Sequence, residues 1–532
     1  MLNLGLSPLV ALFDTIEPHL PSARVVIILV FISVVLLSAI TQAFARRREA
    51  RRFSKLFGCQ PPPRDNPYDP LGLRKIIRST KTFLNKQSLL TAVKLFSEHG
   101  NTYTSRVLTS NVVFTCDPRN IKQILATRFA DFESSPLRGH LFKPLLSHSI
   151  FQLDGPHWKI TRERYRHEAR FSNLRSILDL GRQEKSFQTL LKCIPDHQPF
   201  DLYILFRHLM MDLTTGFCLG DSANSLTYQT PEKREFAEAI TDIQQRIAAG
   251  GFVGPLSQFM SKKQMRIDTQ IIHRFVEKYI DESLAKPIPY DKVDKQSESE
   301  GYNMLDALAE FSRDKLELRD YTTTILIAGT ESTSSLLSSV MYLLARNEEV
   351  FLKLRQSVLE IVGREPPTFT QIKGLAYLRC VINEALRFYP PVPINARIAN
   401  TATTLPVGGG PDGKSPVYIH KGQKVVFSSF AIHRSTQIYG EDALVFRPER
   451  WENGEALKEG GGAFFPFLLG PRACPGQQYA LIESSYVIVR LLQTFREIKP
   501  RDLRPWKEHM GLNLRNDNGC WLEVVRDDEA LA

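Results

Sequence analysis

Near its C-terminus the chain reads FFPFLLGPRACPGQQYAL, residues 464–481, with Cys474 set among glycines, prolines and an arginine ahead of a helix-like run. Six other cysteines, at positions 59, 116, 193, 218, 380 and 520, form neither a CxxC pair nor a zinc-type spacing with histidine. Cys474 must therefore be explained by its own surroundings. A thiolate serves as a metal ligand only where its charge is held, and a helix start supplies free N–H groups and the positive end of a dipole. Gly470 and Pro471 permit a tight turn ahead of the sulfur. Gly476 lacks a Cβ, so backbone can pass close beneath a flat macrocycle, and Ala480, one turn on, keeps that face low. Arg472 suits an anionic carboxylate, and Phe467 is placed to shield the sulfur from water.

Phe467, Gly470, Arg472, Cys474 and Gly476 spell FxxGxRxCxG, and on these residues the segment resembles the haem-binding loop of the cytochromes P-450. The resemblance implies that Cys474 is the axial thiolate of haem b, the metal ligand and chief cofactor-binding residue. Three other stretches agree. NEALRFYPP puts Glu384 and Arg387 three residues apart, on one face of a helix ended by Pro390 and Pro391. The resemblance assigns them to the family's buried ExxR pair, with Arg450 of FRPERW as third member, in a structural rather than catalytic role. TTTILIAGTESTSSLLSSVMYLLA, residues 322–345, reads as a long helix through the core. Its Ala328, Gly329, Glu331 and Ser332 align with the family's oxygen-binding AGx(D/E)T. By that alignment Gly329 leaves room for a ligand, Glu331 passes protons, and the hydroxyls of Ser332 and the following Thr333 orient dioxygen. A hydroxyl facing the carbonyl ladder can also distort the helix locally. Serine stands where the family has threonine, keeping the hydroxyl and losing the methyl that restricts it. Finally, GPHWKITRERYRHEARF, residues 155–171, matches the WxxxR helix. Trp158 and Arg162 would bond a propionate, Arg397 of PPVPINARIA would bond another, and Arg164 and Arg166 face solvent.

The elements that must position these residues are legible in outline. Helical patterns dominate from about 230 to 390, and a strand-and-turn stretch follows to about 432, with PVGGGPDGKSP as a hairpin tip. Residues 285–303 are polar and read as a solvent loop. The fold class expected is mainly α with a small β portion, a cytochrome P-450 fold over residues 58–532. Ahead of it, residues 25–45 hold no charge, enough for one bilayer crossing, and RRREARR follows at 46–52. Positive residues stay cytosolic, so residues 1–57 read as a lumenal arm, a membrane anchor and a basic stop-transfer segment. The proline-rich 58–73 is an extended lead into the catalytic part.

Composition narrows the function classes. A chain of 532 residues, 43% hydrophobic, buries a large core, and its odd, unpatterned cysteine count points to a reducing compartment. Net charge +11 without basic arrays interleaved with aromatics excludes nucleic acid as the partner. The resemblance implies haem monooxygenation of a lipophilic small molecule with O2. Electrons would come from an NADPH-cytochrome reductase, since the chain carries no dinucleotide or flavin fingerprint of its own. The enzyme would be a single-pass protein of the endoplasmic reticulum membrane with its catalytic domain cytosolic. Segments such as NIKQILATRFADFE and IFQLDGPHW look most like fungal alkane and fatty-acid hydroxylases, so a long-chain aliphatic is the substrate expected. Oxidation of a polyketide or terpenoid, or a haem-thiolate isomerase or dehydratase activity, is the alternative.

Overall fold

The computed structural model describes residues 21–108, 110–168, 180–227, 230–286, 303–454 and 462–527. The chain divides into two units, residues 1–60 and 61–532. The proposed lumenal arm, most of the polar loop after residue 285 and the Arg166 side chain lie outside the described residues.

In the first unit, helix α1 (Pro21–Phe57) carries the uncharged stretch, and Val26, Leu29, Phe31, Leu37 and Phe44 are all exposed. Among the described residues no helix is long and apolar enough to cross a membrane. Side chains 21–24, 32, 35, 36, 39 and 43 of α1 fall outside them, so its apolar run is described only in pieces.

The second unit is mainly helical. Elements that build its site are α2 (Leu73–Leu84), α3 (Pro136–Phe142), α4 (Gly155–Glu168), α5 (Leu202–Leu219), α6 (Pro231–Val253), α7 (Lys315–Leu344), α8 (Ala376–Phe388) and α9 (Gln477–Thr494). Helix α7 is the axle. Asp314 caps it by accepting from the N–H groups of Leu316 and Glu317. Its second half, with Leu336, Leu337 and Val340, is buried against Phe206 and Leu213 of α5, Leu386 of α8 and Val487 of α9. Each such side chain contributes roughly 1.5–3 kcal/mol by leaving water, so α7 is fixed to neighbours on several sides. It begins seven residues earlier than the apolar run suggests and stays α-helical throughout.

The β portion is small. Strands β1 (Thr102–Val107), β2 (Ser110–Thr115), β3 (Phe132–Glu133), β5 (Ile394–Ala399) and β8 (Lys424–Ser428) form one sheet in the order β1-β2-β8-β5-β3. Between β5 and β8, β6 (Thr403–Gly409) and β7 (Ser415–Ile419) make the antiparallel hairpin. Strand β4 (Phe200–Asp201) pairs with β12 (Trp521–Arg526), which also pairs with β9 (Phe495–Pro500), and β10 (Glu508–Met510) pairs with β11 (Leu514–Asn516). The five-stranded sheet matters for function because β5 carries Arg397 and β8 starts with Lys424.

Candidate active site

The loop around Cys474 is shaped by close backbone approach. Gly470 has φ +65°, and a Cβ there would lie 2.0 Å from the Leu125 carbonyl oxygen, so only glycine closes this turn. The Ala473 N–H donates to the Gly470 carbonyl at 3.0 Å, and the Cys474 N–H donates to the Phe467 carbonyl at 2.8 Å. With its backbone so engaged, Cys474 presents its sulfur just ahead of α9, whose N-cap is Gly476. A Cβ on Gly476 would sit 4.0 Å from that sulfur, filling the space beside it.

The thiol lines a cavity of about 360 Å³ and is exposed. Protein encloses it elsewhere, and that burial pushes its pKa up, while the Gly476 N–H and the Arg162 guanidinium draw it down. Phe467, Gly476 and Ala480 line the floor with Cys474, and Ala328, Gly329, Ser332 and Thr333 of α7 line the roof.

Cations gather on the cavity wall. Arg138, Arg162, Arg397 and Arg472 line it with Trp158, and among the described residues no aspartate or glutamate does. Arg397 donates to Asn395 Oδ1 at 2.9 Å and to the Ala396 carbonyl at 2.8 Å. Burial, then repulsion from Arg138 and Arg472, lowers its pKa to about 9. Arg472 donates to the Leu153 carbonyl at 3.0 Å, pairs with Asp154 and lies 4.4 Å over the Trp158 ring, yet its buried Nε has no partner. Burial lowers its pKa to about 10. Arg162 donates to the Ala473 carbonyl at 2.6 Å, beside the cysteine. A thiol at the base, an open space at Gly476 and a wall of arginines, Arg472 among them paired with Asp154, fit a flat metallo-macrocycle with two carboxylates. Arg138 was not singled out in the sequence. Its only signal there was a lone arginine within an apolar segment.

The roof departs from expectation at Gly329 and at Glu331. Gly329 reaches the cavity, but a Cβ on it would lie 3.0 Å from Thr214 Cγ2, so its missing side chain lets α7 approach α5 rather than make room for a ligand. The Ser332 hydroxyl lines the cavity while donating to the Ala328 carbonyl at 2.6 Å, and Thr333 Oγ1 is buried without a partner. Glu331 lines a different, smaller cavity of about 130 Å³ with Arg207, His208 and Asp242. Burial lifts its carboxyl to about 7 against the pull of Arg207 and Arg515, and its Oε2 is unbonded. Arg164 is not simply solvent-facing either. Its guanidinium donates to Tyr321 Oη at 2.7 Å and pairs with Glu317, tying α4 to α7.

Beyond the cavity, Glu384 and Arg387 are 0% exposed and joined by two bonds of 2.9 Å. Arg450 Nε donates to Glu384 Oε1 at 3.2 Å, and Trp451 Nε1 donates to Oε2 at 2.8 Å. Arg387 also donates to the carbonyls of His433 and Ala443, at 2.6 and 2.7 Å. The tryptophan and the carbonyls escaped sequence reading because nothing in their spacing links them to position 384.

A family model described as Cytochrome P450 matches residues 76–519. The chain is similar to a protein named Cytochrome P450 from Arthroderma benhamiae, 33% identical over 92% of this chain and 96% of that one. Similar too is Cytochrome P450 monooxygenase fsdH of Fusarium heterosporum, 34% identical over 92% of this chain and 86% of that protein. Cytochrome P450 52A1 of Candida tropicalis is 40% identical over 74% of each. A cysteine opening into a cation-rimmed cavity under a long core helix, in a chain so matched, has one reading: the protein belongs to the cytochrome P450 family of haem-thiolate monooxygenases.

Proposed function

We propose that this P450 is a membrane-bound hydroxylase of long-chain aliphatic substrates, an alkane, a fatty acid or a related metabolite. The observation that carries the reading is the apolar part of the Cys474 cavity, lined by Phe142, Ile150, Phe151, Leu336, Val392 and Leu512. Each methylene buried there gains roughly 0.8 kcal/mol, enough to hold a chain whose end lies near the sulfur. The likeness of the sequence to fungal alkane and fatty-acid hydroxylases supports the same class.

Bound haem supplies dioxygen activation and the insertion of one oxygen atom into a C–H bond. The chain does the rest. Cys474 would hold the iron, and Arg162, Arg397, Arg472 and Trp158 would hold the propionates, with Phe467 and Gly476 shaping the thiolate side. Ser332 and Thr333 would offer hydroxyls to dioxygen. Glu331, half-protonated near neutral pH by its burial, both accepts and donates a proton behind them. Glu384, Arg387 and Arg450 fix the frame below. An NADPH-cytochrome reductase delivers electrons, and residues 25–45 anchor the enzyme in the endoplasmic reticulum with the basic 46–52 on the cytosolic side.

The test is to supply dodecane and laurate to a host expressing the protein with its reductase. Terminal or near-terminal alcohols are expected. Turnover of a cyclic polyketide or terpenoid, with neither aliphatic oxidised, would overturn the substrate class and leave the haem chemistry intact.

A further inference from the structure

A second chamber, of about 510 Å³, adjoins the Cys474 cavity, and Arg138, Phe142 and Leu512 line both. Its walls come from α2, α3, α6, the five-stranded sheet and the segment after β10. The stacked rings of Phe83 and Phe252, 3.6 Å apart, join α2 to α6 across it. Most of the lining is apolar. Its charge is one-sided: Lys75, Arg78, Arg138 and Lys424 line the chamber, and among the described residues no acid does.

Only one of the three cations outside the shared wall has a fixed counter-charge. Arg78 is paired with Asp65 at 2.5 Å, and that carboxylate also accepts from Ser105 at 2.9 Å. The Lys75 ammonium makes no ion pair among the described residues and rests 4.7 Å from the centroid of the Phe114 ring. The Lys424 ammonium, at the start of β8, makes neither a hydrogen bond nor an ion pair among the described residues. Partial burial lowers the pKa of both lysines, that of Lys75 to about 8 with repulsion from Arg78 adding to it and the Asp65 carboxylate opposing it. Two half-buried ammonium groups without an ion pair among the described residues, in a mostly apolar chamber, favour a ligand that brings an anion.

We infer that the outer chamber binds the carboxylate of an amphipathic monocarboxylic acid, between Lys75 and Lys424, while its alkyl chain runs past Phe142 and Leu512 into the Cys474 cavity. The inference rests on the aliphatic reading and sharpens it. An alkane gains nothing from the lysines, whereas a fatty acid gains charge-assisted hydrogen bonds at one end and apolar burial along the rest. The carboxylate also fixes which end of the chain points inward, so the far end is the one presented for hydroxylation.

The experiment uses full-length haem-loaded protein in detergent and follows the spin-state shift of the Soret band on titration with laurate, 1-dodecanol and dodecane. In the Lys75→Gln/Lys424→Gln double variant the Kd for laurate should rise about tenfold or more, as expected for lost charge-assisted bonds. The Kd for 1-dodecanol should move less than about twofold, because burial of the alkyl chain is untouched. Lys424→Arg, which keeps the charge, should stay near the parent. Unchanged laurate binding in the double variant, or equal weakening of acid and alcohol, would overturn the carboxylate site while sparing the aliphatic reading. No shift with any of the three ligands in the parent protein would overturn both.

Discussion

Charge is handled in opposite ways in two parts of this molecule. Around Glu384 an acid, two arginines, a tryptophan N–H and several carbonyls saturate one another, all out of water. Along the Cys474 cavity and the chamber beyond it, arginines and lysines face inward with no acid in the lining among the described residues, and Arg472 Nε is left unbonded. A saturated network has nothing left to offer a ligand and so serves the fold. An unsaturated one is costly to the fold and useful only when something anionic completes it.

Removing a member should therefore have different consequences in the two places. The largest effect is expected for Glu384→Ala, which strands Arg387 in a buried site and leaves Arg450 only Asp442 as its acid. That uncompensated charge costs about 3–5 kcal/mol, and almost no folded haem-loaded protein should be recovered, as measured by the reduced CO spectrum per milligram. Recovery of stable holoprotein would place the network among surface ion pairs and erase the contrast.

Cys474→Ser should leave the fold standing but abolish the strongly red-shifted Soret band of the reduced CO complex, since a serine oxygen does not reproduce thiolate ligation. Retention of that band would move the ligand elsewhere. Arg397→Leu removes one of the under-compensated cations. It should leave the polypeptide as stable as the parent or more so before haem is added, and lower haem retention by about tenfold, in keeping with about 1.5 kcal/mol for one hydrogen bond to a charged group. Melting temperature and haem loss to apomyoglobin separate the two effects. Destabilised apoprotein would make Arg397 part of the frame instead.

The smallest effect concerns a third arrangement, an acid with no cation. Glu483 of α9 is buried, accepts from Tyr479 Oη at 2.5 Å, and is pushed up to about 8 by its burial. Its folded pKa lies above the unfolded carboxylate value of about 4.3, so between those two pH values the native state holds the extra proton. The stabilisation is complete below the unfolded value and is lost as pH rises through 8. Glu483→Gln should flatten the fall in melting temperature between pH 5 and pH 8 by a few degrees. An unchanged slope would assign that titration to another buried acid, such as Glu331.

How much of this was legible in the chain depends on sequence distance. Glu384 and Arg387 lie on one turn of α8, so helical spacing alone puts them together. The turn at Gly470, the sulfur at Cys474 and the glycine at 476 form one short stretch, and their types suffice to suggest a ligand loop. Arg138 and Lys424 carry no such local signal. One sits in an apolar helix and the other opens a strand, and only the folding of α3 and β8 to a common wall makes them neighbours. Glu331 and Ser332 show the converse, adjacent in sequence and sent to different cavities by a helix that turns about 100° per residue.

What the sequence by itself determined is the set of local geometries: which residues share a helix face, where only glycine closes a turn, and which cysteine stands ahead of a helix. These follow from backbone sterics and the 3.6-residue period, which act over a few residues. The tertiary structure alone decided where counter-charges are missing. Whether Lys75 or Lys424 has a partner depends on which side chains arrive from strands and helices hundreds of residues away, and burial, which makes the absence of a partner costly, exists only once those elements have packed.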